Sequence, residues 1–256
     1  MVHLGTPKSG TTYLQELLWS SRPALVAAGV SYPGEVPEGH FQATLDLKAD
    51  EFNGWPDPAV PGAWDRLVTA ARAFDGTTVI SHELLGDLTD EQIGRLAADL
   101  SFQPLDLVIT ARDLARQLPA VWQEDLKNRH SMTFEEFLAV ASPETEHSEW
   151  YGDAFWQRQD LAALAARWRS GCPGASLTVV TVPPPGTDPA VLWHRFAEVL
   201  GIDPAVGSAP ATRSNRSLGQ VESELLRRLN ERLDYSIDWP VYAARVTHHA
   251  AGRVLA

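Results

Sequence analysis

Within the eight residues Gly5-Thr6-Pro7-Lys8-Ser9-Gly10-Thr11-Thr12 the chain places two glycines, a lysine and four hydroxyls directly ahead of an amphipathic helical pattern. Glycines bracketing a tight turn at a helix start let successive N–H groups converge on an anion, and the helix dipole adds partial positive charge there. Lysine is scarce in this chain and largely replaced by arginine, so Lys8 inside the turn reads as functional charge. The segment departs from a Walker A loop, because the lysine precedes the second glycine and Thr11 stands where G-x-x-x-x-G-K-[ST] requires Lys. An ATP–Mg²⁺ reading loses support accordingly.

Two further groups sit at the ends of strand-like runs. Arg112 follows the apolar run Leu105 to Ala111 and can grip a phosphate bidentately; the alternative is a strand-end arginine in a structural ion pair. Ser81-His82-Glu83 ends a second such run. Its imidazole or carboxylate could take a proton from an acceptor hydroxyl, and a purely structural role is the alternative for each. In an open parallel sheet, ligands bind beyond the carboxyl ends of the strands, which would bring all three elements to one edge. Near the C-terminus, Arg213-Ser214-Asn215-Arg216-Ser217-Leu218-Gly219 is a basic, glycine-containing loop or, alternatively, only a polar helix cap. His248-His249 lacks ligands at metal-binding spacing.

Pro7, Lys8, Ser9, Gly10, Thr11 and Thr12, followed by Tyr13, resemble the 5′-phosphosulfate-binding loop of the sulfotransferase superfamily, Pro-Lys-Ser/Thr-Gly-Thr-Thr-aromatic. The segment from Arg112 resembles that superfamily's 3′-phosphate-binding element, except that Ala120 stands where the family has a serine. The Arg213 to Gly219 loop is similar to a divergent form of the C-terminal 3′-phosphate loop. The resemblance implies an enzyme that transfers a sulfonyl group from 3′-phosphoadenosine 5′-phosphosulfate (PAPS) to a hydroxyl or amine of a small-molecule or glycan acceptor. The product would be adenosine 3′,5′-bisphosphate (PAP), and no metal is required. It implies that Lys8 stabilises the leaving phosphate and that Pro7 to Thr12 hold the 5′-phosphate. Arg112, Arg213 and Arg216 would bind the 3′-phosphate, and His82 or Glu83 would be the base. A P-loop small-molecule kinase and a non-catalytic nucleotide-binding protein of the same fold remain the alternatives.

Positioning these residues requires strands alternating with helices. Strand-like runs occur at Val2 to Leu4, Thr78 to Ser81, Leu105 to Ala111 and Leu177 to Val182. Helical patterns lie near Thr11 to Ser20, Trp64 to Phe74, Asp90 to Leu100, Asp113 to His130, Phe134 to Val140, Asp153 to Arg169 and Val191 to Leu200. A last one, Gln220 to Leu233, would bury Val221, Leu225, Leu226, Leu229 and Leu233 on one face. The alternation predicts an α/β fold with a central, mostly parallel sheet, and the resemblance a P-loop-like three-layer sandwich forming a single domain over 1–256. Gly29 to Gly62 reads as an irregular excursion, the last dozen residues as a loose tail, and Pro119 as a kink in its helix. Trp150, Tyr151, Phe155 and Trp156 could wall an acceptor site or belong to the core.

The net charge of -12 and pI near 5.0 argue against a partner that is duplex DNA or an anionic membrane, each of which selects a basic surface. An anionic small ligand would need a local cradle set into an acidic exterior. The single cysteine, Cys172, excludes an intrachain disulfide framework. Every apolar stretch is interrupted well before the roughly 18 residues of a membrane span, and no secretory signal is visible, so a cytoplasmic protein is expected.

Overall fold

A computed structural model describes residues 1–142, 150–207 and 218–255; the side chains of 150, 151 and 153 are not among those described. In chain order the first half runs β1 (Val2–His3), α1 (Thr11–Ser20), α2 (Arg22–Ala27), β2 (Val30–Ser31), α3 (Gly39–Lys48), α4 (Ala63–Arg72), β3 (Thr77–Thr78), β4 (Ile80–Ser81), α5 (Asp90–Asp99) and β5 (Asp106–Ala111). It continues with α6 (Leu114–Lys127), α7 (Phe134–Ala141), α8 (Trp150–Gln159), α9 (Leu161–Gly171), β6 (Ser176–Thr181), α10 (Ala190–Leu200), α11 (Gln220–Leu233) and α12 (Trp239–Tyr242), followed by a π-helical stretch, Ala243–Val254.

These elements pack as two compact units. The first holds Met1–Asp50, Pro58–Arg112 and Gln157–Thr212; the second holds Glu51–Asp57, Asp113–Trp156 and Arg213–Ala256. In the first unit four parallel strands lie in the order β4-β1-β5-β6. Residues 77–81 also border β2: Val79 N–H donates to Ser31 O at 2.8 Å, and the next amide, Ile80 N–H, turns to Met1 O at 3.0 Å. One segment therefore joins β2 and β3 to the main sheet.

Successive strand residues point to opposite faces, and the sequence covers both with apolar groups. Val2, Leu4, Ile80, Leu107 and Ile109 pack on one side with Ala43, Trp64, Leu67, Ile93, Leu96, Leu164 and Trp168 from α3, α4, α5 and α9. Val79, Val108 and Val180 pack on the other with Leu14, Leu17, Leu25, Leu192, Trp193 and Phe196 from α1, α2 and α10. At roughly 1.5–3 kcal/mol for each large side chain removed from water, these two cores hold the sheet between helical layers. The expected α/β architecture with a central parallel sheet is present, and each expected strand falls on or beside an observed one.

The differences are informative. Gly29 to Gly62 contains β2 and the ten-residue α3, whose Ala43, Leu45 and Leu47 are buried. Helix α6 passes unbroken through Pro119, and Asp113 Oδ1 caps it by accepting from Arg116 N–H at 3.0 Å. The second unit's core gathers Trp122, Leu126, Phe137, Phe155, Leu226 and Tyr242, with Val246 and Ala251 of the π-helical stretch, so the last residues are not a loose tail. Phe155 belongs to that core. Helix α11 starts and ends where expected but faces differently: Ser223, Leu226, Arg227 and Asn230 are buried while Val221 is 77 % exposed and Leu225 55 %. Arg227 is held by Glu224 and Glu231, and Asn230 Nδ2–H donates to Leu126 O and His130 O, both at 2.7 Å. The paired Arg227 and Asn230 thus share the inner face with Leu226 and Leu233, while Val221 and Leu225 of the aliphatic stripe are left outside. Among the described residues no helix is long and apolar enough to cross a membrane.

Candidate functional site

The turn after β1 is pinned from below. Thr6 N–H donates to Thr110 O at 2.9 Å and Thr6 Oγ1 to the same oxygen at 3.2 Å, extending the β1–β5 pairing into the loop. Ser9 N–H closes the turn on Thr6 O at 3.1 Å, with Pro7 and Lys8 at its centre. Lys8 has φ 65°, in the left-handed region that costs a side-chain-bearing residue roughly 1–2 kcal/mol. Gly5 and Gly10 are also left-handed, at 36° and 85°, and a Cβ on them would come within 2.1 Å of Thr11 Cγ2 and 2.4 Å of Leu192 Cδ2. Only glycine lets the loop descend this closely onto α1 and α10. Helix α1 begins at Thr11 without a side-chain cap, so the N-terminus of this ten-residue helix opens into the loop. Of the loop hydroxyls, Ser9 is fully buried, Thr11 is buried and Thr12 is exposed.

Parallel pairing brings the other elements to the same sheet edge. Arg112 leaves β5 two residues after Thr110, the residue that anchors Thr6. Next to β1 on its other side, β4 runs out into Ser81, His82 and Glu83. Leu84 N–H donates to His82 Nδ1 at 3.2 Å, so neutral His82 carries its proton on Nε2, which lies 3.9 Å from Glu83 Oε2. Burial lowers the His82 pKa against the opposing pull of Glu83 and Asp87, while Lys48 adds to the lowering. The ring's lone pair is thus engaged and its N–H faces a carboxylate. Gln15 Nε2–H of α1 approaches Glu83 Oε2 at 3.5 Å.

Beneath this edge lies a buried polar chain. Ser9 Oγ gives its only proton to Thr6 O at 2.5 Å, so its 2.7 Å contact with Thr110 Oγ1 must be donated by the threonine. Thr110 Oγ1 in turn accepts from His3 Nε2–H at 3.1 Å, which leaves His3 Nδ1 to accept from Ser81 Oγ at 2.8 Å. Gln15 Nε2–H completes the chain at Ser81, 3.3 Å from O and 3.4 Å from Oγ. A second histidine supports the same strand end: His40 Nδ1 accepts from Ser81 N–H at 3.2 Å, and its Nε2–H donates to Pro33 O at 2.6 Å while the ring stacks on Tyr32. Burial depresses both rings, His3 to about 4 and His40 to about 3, and each is neutral at pH 7.

The first unit thus brings together Pro7, Lys8, Ser9, Gly10, Thr11, Thr12, His82, Glu83 and Arg112 at one edge. Arg213 and Arg216 lie outside the described residues, as does the placement of the Trp150 and Tyr151 side chains. Ala120 lies half-buried on α6 of the second unit, where Arg116 is paired with Asp113 and Lys127 lies 3.6 Å from Glu124. His3, Gln15, His40 and Thr110 are site-supporting residues that motif reading passed over. For His3 and Thr110 the signal in the sequence was a polar residue near the C-terminal end of a largely apolar strand; Gln15 on α1 and His40 on α3 carried none. Among the described residues no group of His, Cys, Asp or Glu is placed to hold a metal ion. No family model matches the chain, and comparison with curated proteins and with solved structures finds no match.

Proposed function

We propose that this chain is a sulfotransferase that uses PAPS as sulfonyl donor for a hydroxyl- or amine-bearing small molecule or glycan, on a P-loop-like α/β scaffold. The observation that carries the reading is the left-handed Lys8 in a glycine-bounded loop that opens onto the uncapped start of α1, one strand away from Arg112 and one from Glu83. Strain at a lysine is retained where the ammonium is needed in place. The residues present fit a bisphosphorylated ligand: the amides at the start of α1 and Lys8 suit the 5′-phosphate, and the Arg112 guanidinium suits a second phosphate.

The donor supplies a sulfonyl group already activated on a phosphate–sulfate anhydride. Glu83 accepts the proton of the acceptor hydroxyl as its oxygen bonds to sulfur and the sulfur–phosphate oxygen bond breaks; it is preferred to His82 because the His82 Nδ1 lone pair already accepts from Leu84 N–H. Lys8 balances the negative charge that builds on the departing phosphate oxygen, the kind of stabilisation that contributes most to such transfers. Arg112 keeps the nucleotide in register. The reading is tested by thermal shift: PAP should raise the melting temperature without Mg²⁺, and AMP far less. At a hundredfold excess over Kd, binding contributes about 2.7 kcal/mol, a visible shift. Equal shifts from AMP and PAP would remove the second phosphate site, and a shift only with ATP and Mg²⁺ would favour a kinase. Turnover of labelled donor with phenols, sugars and amino alcohols then identifies the acceptor.

A further inference from the structure

We propose that His3, held as its neutral Nε2–H tautomer, is a positioning residue that keeps the anion loop in register with the Glu83 end of the site. The functions of those two ends rest on the sulfonyl-transfer reading; the coupling between them rests on the hydrogen bonds alone. The ring stands in β1, the strand between β4 and β5, and it bonds to a hydroxyl from each neighbour, Ser81 and Thr110. Because each hydroxyl has one proton, the chain from Gln15 through Ser81 to His3, and from His3 through Thr110 and Ser9 to Thr6 O, permits one arrangement only. One terminus is the turn that carries Lys8. The other is Gln15, whose amide also meets Glu83.

Packing does not require an imidazole here. Val2 and Leu4 fill the same strand with aliphatic groups, and an aliphatic side chain against Phe196, whose ring centroid lies 5.0 Å from that of His3, would spare the cost of burying polar atoms. His3, Ser9, Ser81 and Thr110 are each fully buried, so no solvent can replace a broken link. A network of this kind fixes one geometry at the expense of stability. A displacement of the loop that moves Ser9 is therefore passed through Thr110, His3 and Ser81 to Gln15, and from there to the carboxylate.

The test uses the full chain with ¹⁵N-labelled amides and histidine rings. Thr110→Val removes the loop-side hydroxyl at nearly constant volume, Thr110→Ser keeps it, and Ser81→Ala cuts the chain from the other side. The wild-type His3 ring should show the Nε2–H tautomer. Thr110→Val should shift the His82 ring and Glu83 amide resonances, on the far side of His3, and Thr110→Ser should restore them. Ser81→Ala should shift the amides of Lys8 and Gly10. In a His3→Phe background these far-side responses should vanish. With labelled donor, Thr110→Val should lower kcat by roughly ten- to a hundredfold with little change in donor KM, as a misplaced but intact site would. Far-side resonances that stay fixed in both folded variants, or the opposite His3 tautomer, would overturn the proposal. Absence of any donor turnover by the wild-type chain would sink the sulfonyl-transfer reading instead, and the resonance shifts would still decide the role of His3.

Discussion

Acid should loosen the first unit well before its carboxylates protonate. His3 and His40 are neutral in the folded chain, with pKa values near 4 and 3, whereas an unfolded imidazole titrates near 6.5. Below 6.5 the unfolded chain takes up protons that the folded chain refuses, so their contribution is complete above pH 6.5 and is lost as pH falls toward 4. Near pH 5.5 an unfolded histidine is about nine-tenths protonated and these two almost unprotonated, which gives a slope of about 1.2 kcal/mol per pH unit for each and about 2.4 for both. His82 is shifted in the same direction and adds to the slope. Urea unfolding at pH 6.0 and pH 5.0, followed by tryptophan fluorescence, measures this directly. His40→Gln should lower stability at both values but reduce the slope by about 1.2 kcal/mol per pH unit. A wild-type slope near zero, or an unchanged slope in His40→Gln, would show that the rings are not held neutral and would refute the hydrogen-bond assignment at Ser81.

Three other outcomes are expected. Lys8→Gly should be more stable than Lys8→Ala by about 1 kcal/mol, or about 2–4 °C in Tm, because only glycine relaxes at φ 65°; both should lose turnover alike, since both lack the ammonium, and equal stability would deny the strain. Glu83→Gln should reduce turnover by about 10² to 10⁴ while PAP affinity stays nearly unchanged, with a smaller loss in His82→Ala; the reverse ranking would make His82 the base. In the second unit, Leu226→Ala should cost about 2–5 kcal/mol in denaturant melts and Leu225→Ala less than about 0.5; comparable costs would mean that α11 buries the face its aliphatic residues suggested.

Much of the first unit was legible because its strands are short, apolar and bounded by turn residues, and because helices such as Thr11–Ser20 carry clear amphipathic spacing. The turn was legible for a different reason: glycines at both ends of a strand-to-helix connection mark positive-φ backbone, as found at Gly5 and Gly10. His3 and His40 were not, since a lone histidine in a strand or a helix reveals its partners only when Ser81 and Thr110, far away in sequence, arrive beside it. Nor was the engagement of the His82 ring by the Leu84 amide, which is a matter of local backbone path. Helix α11 misled because an aliphatic stripe is ordinarily buried, and nothing local tells that Arg227 and Asn230 meet the carbonyls of Ser131, Leu126 and His130, about a hundred residues back in the chain. The inner helix α3 was obscured by the prolines and glycines on both sides of it.

The strand order also governs when the loop can exist. β1 is translated before β4 and β5, yet it lies between them in the sheet and pairs with Ile80 and Leu107, which a ribosome delivers much later. Until Thr110 has emerged, Thr6 and Ser9 have neither the carbonyl nor the hydroxyl that shape the turn. Such late closure of early residues is slow and leaves apolar strand segments unpaired during synthesis. A nascent chain stalled before Thr110 should therefore present Val2 and Leu4 to chaperones, and the glycine-bounded turn should not take its final shape before Thr110 has emerged.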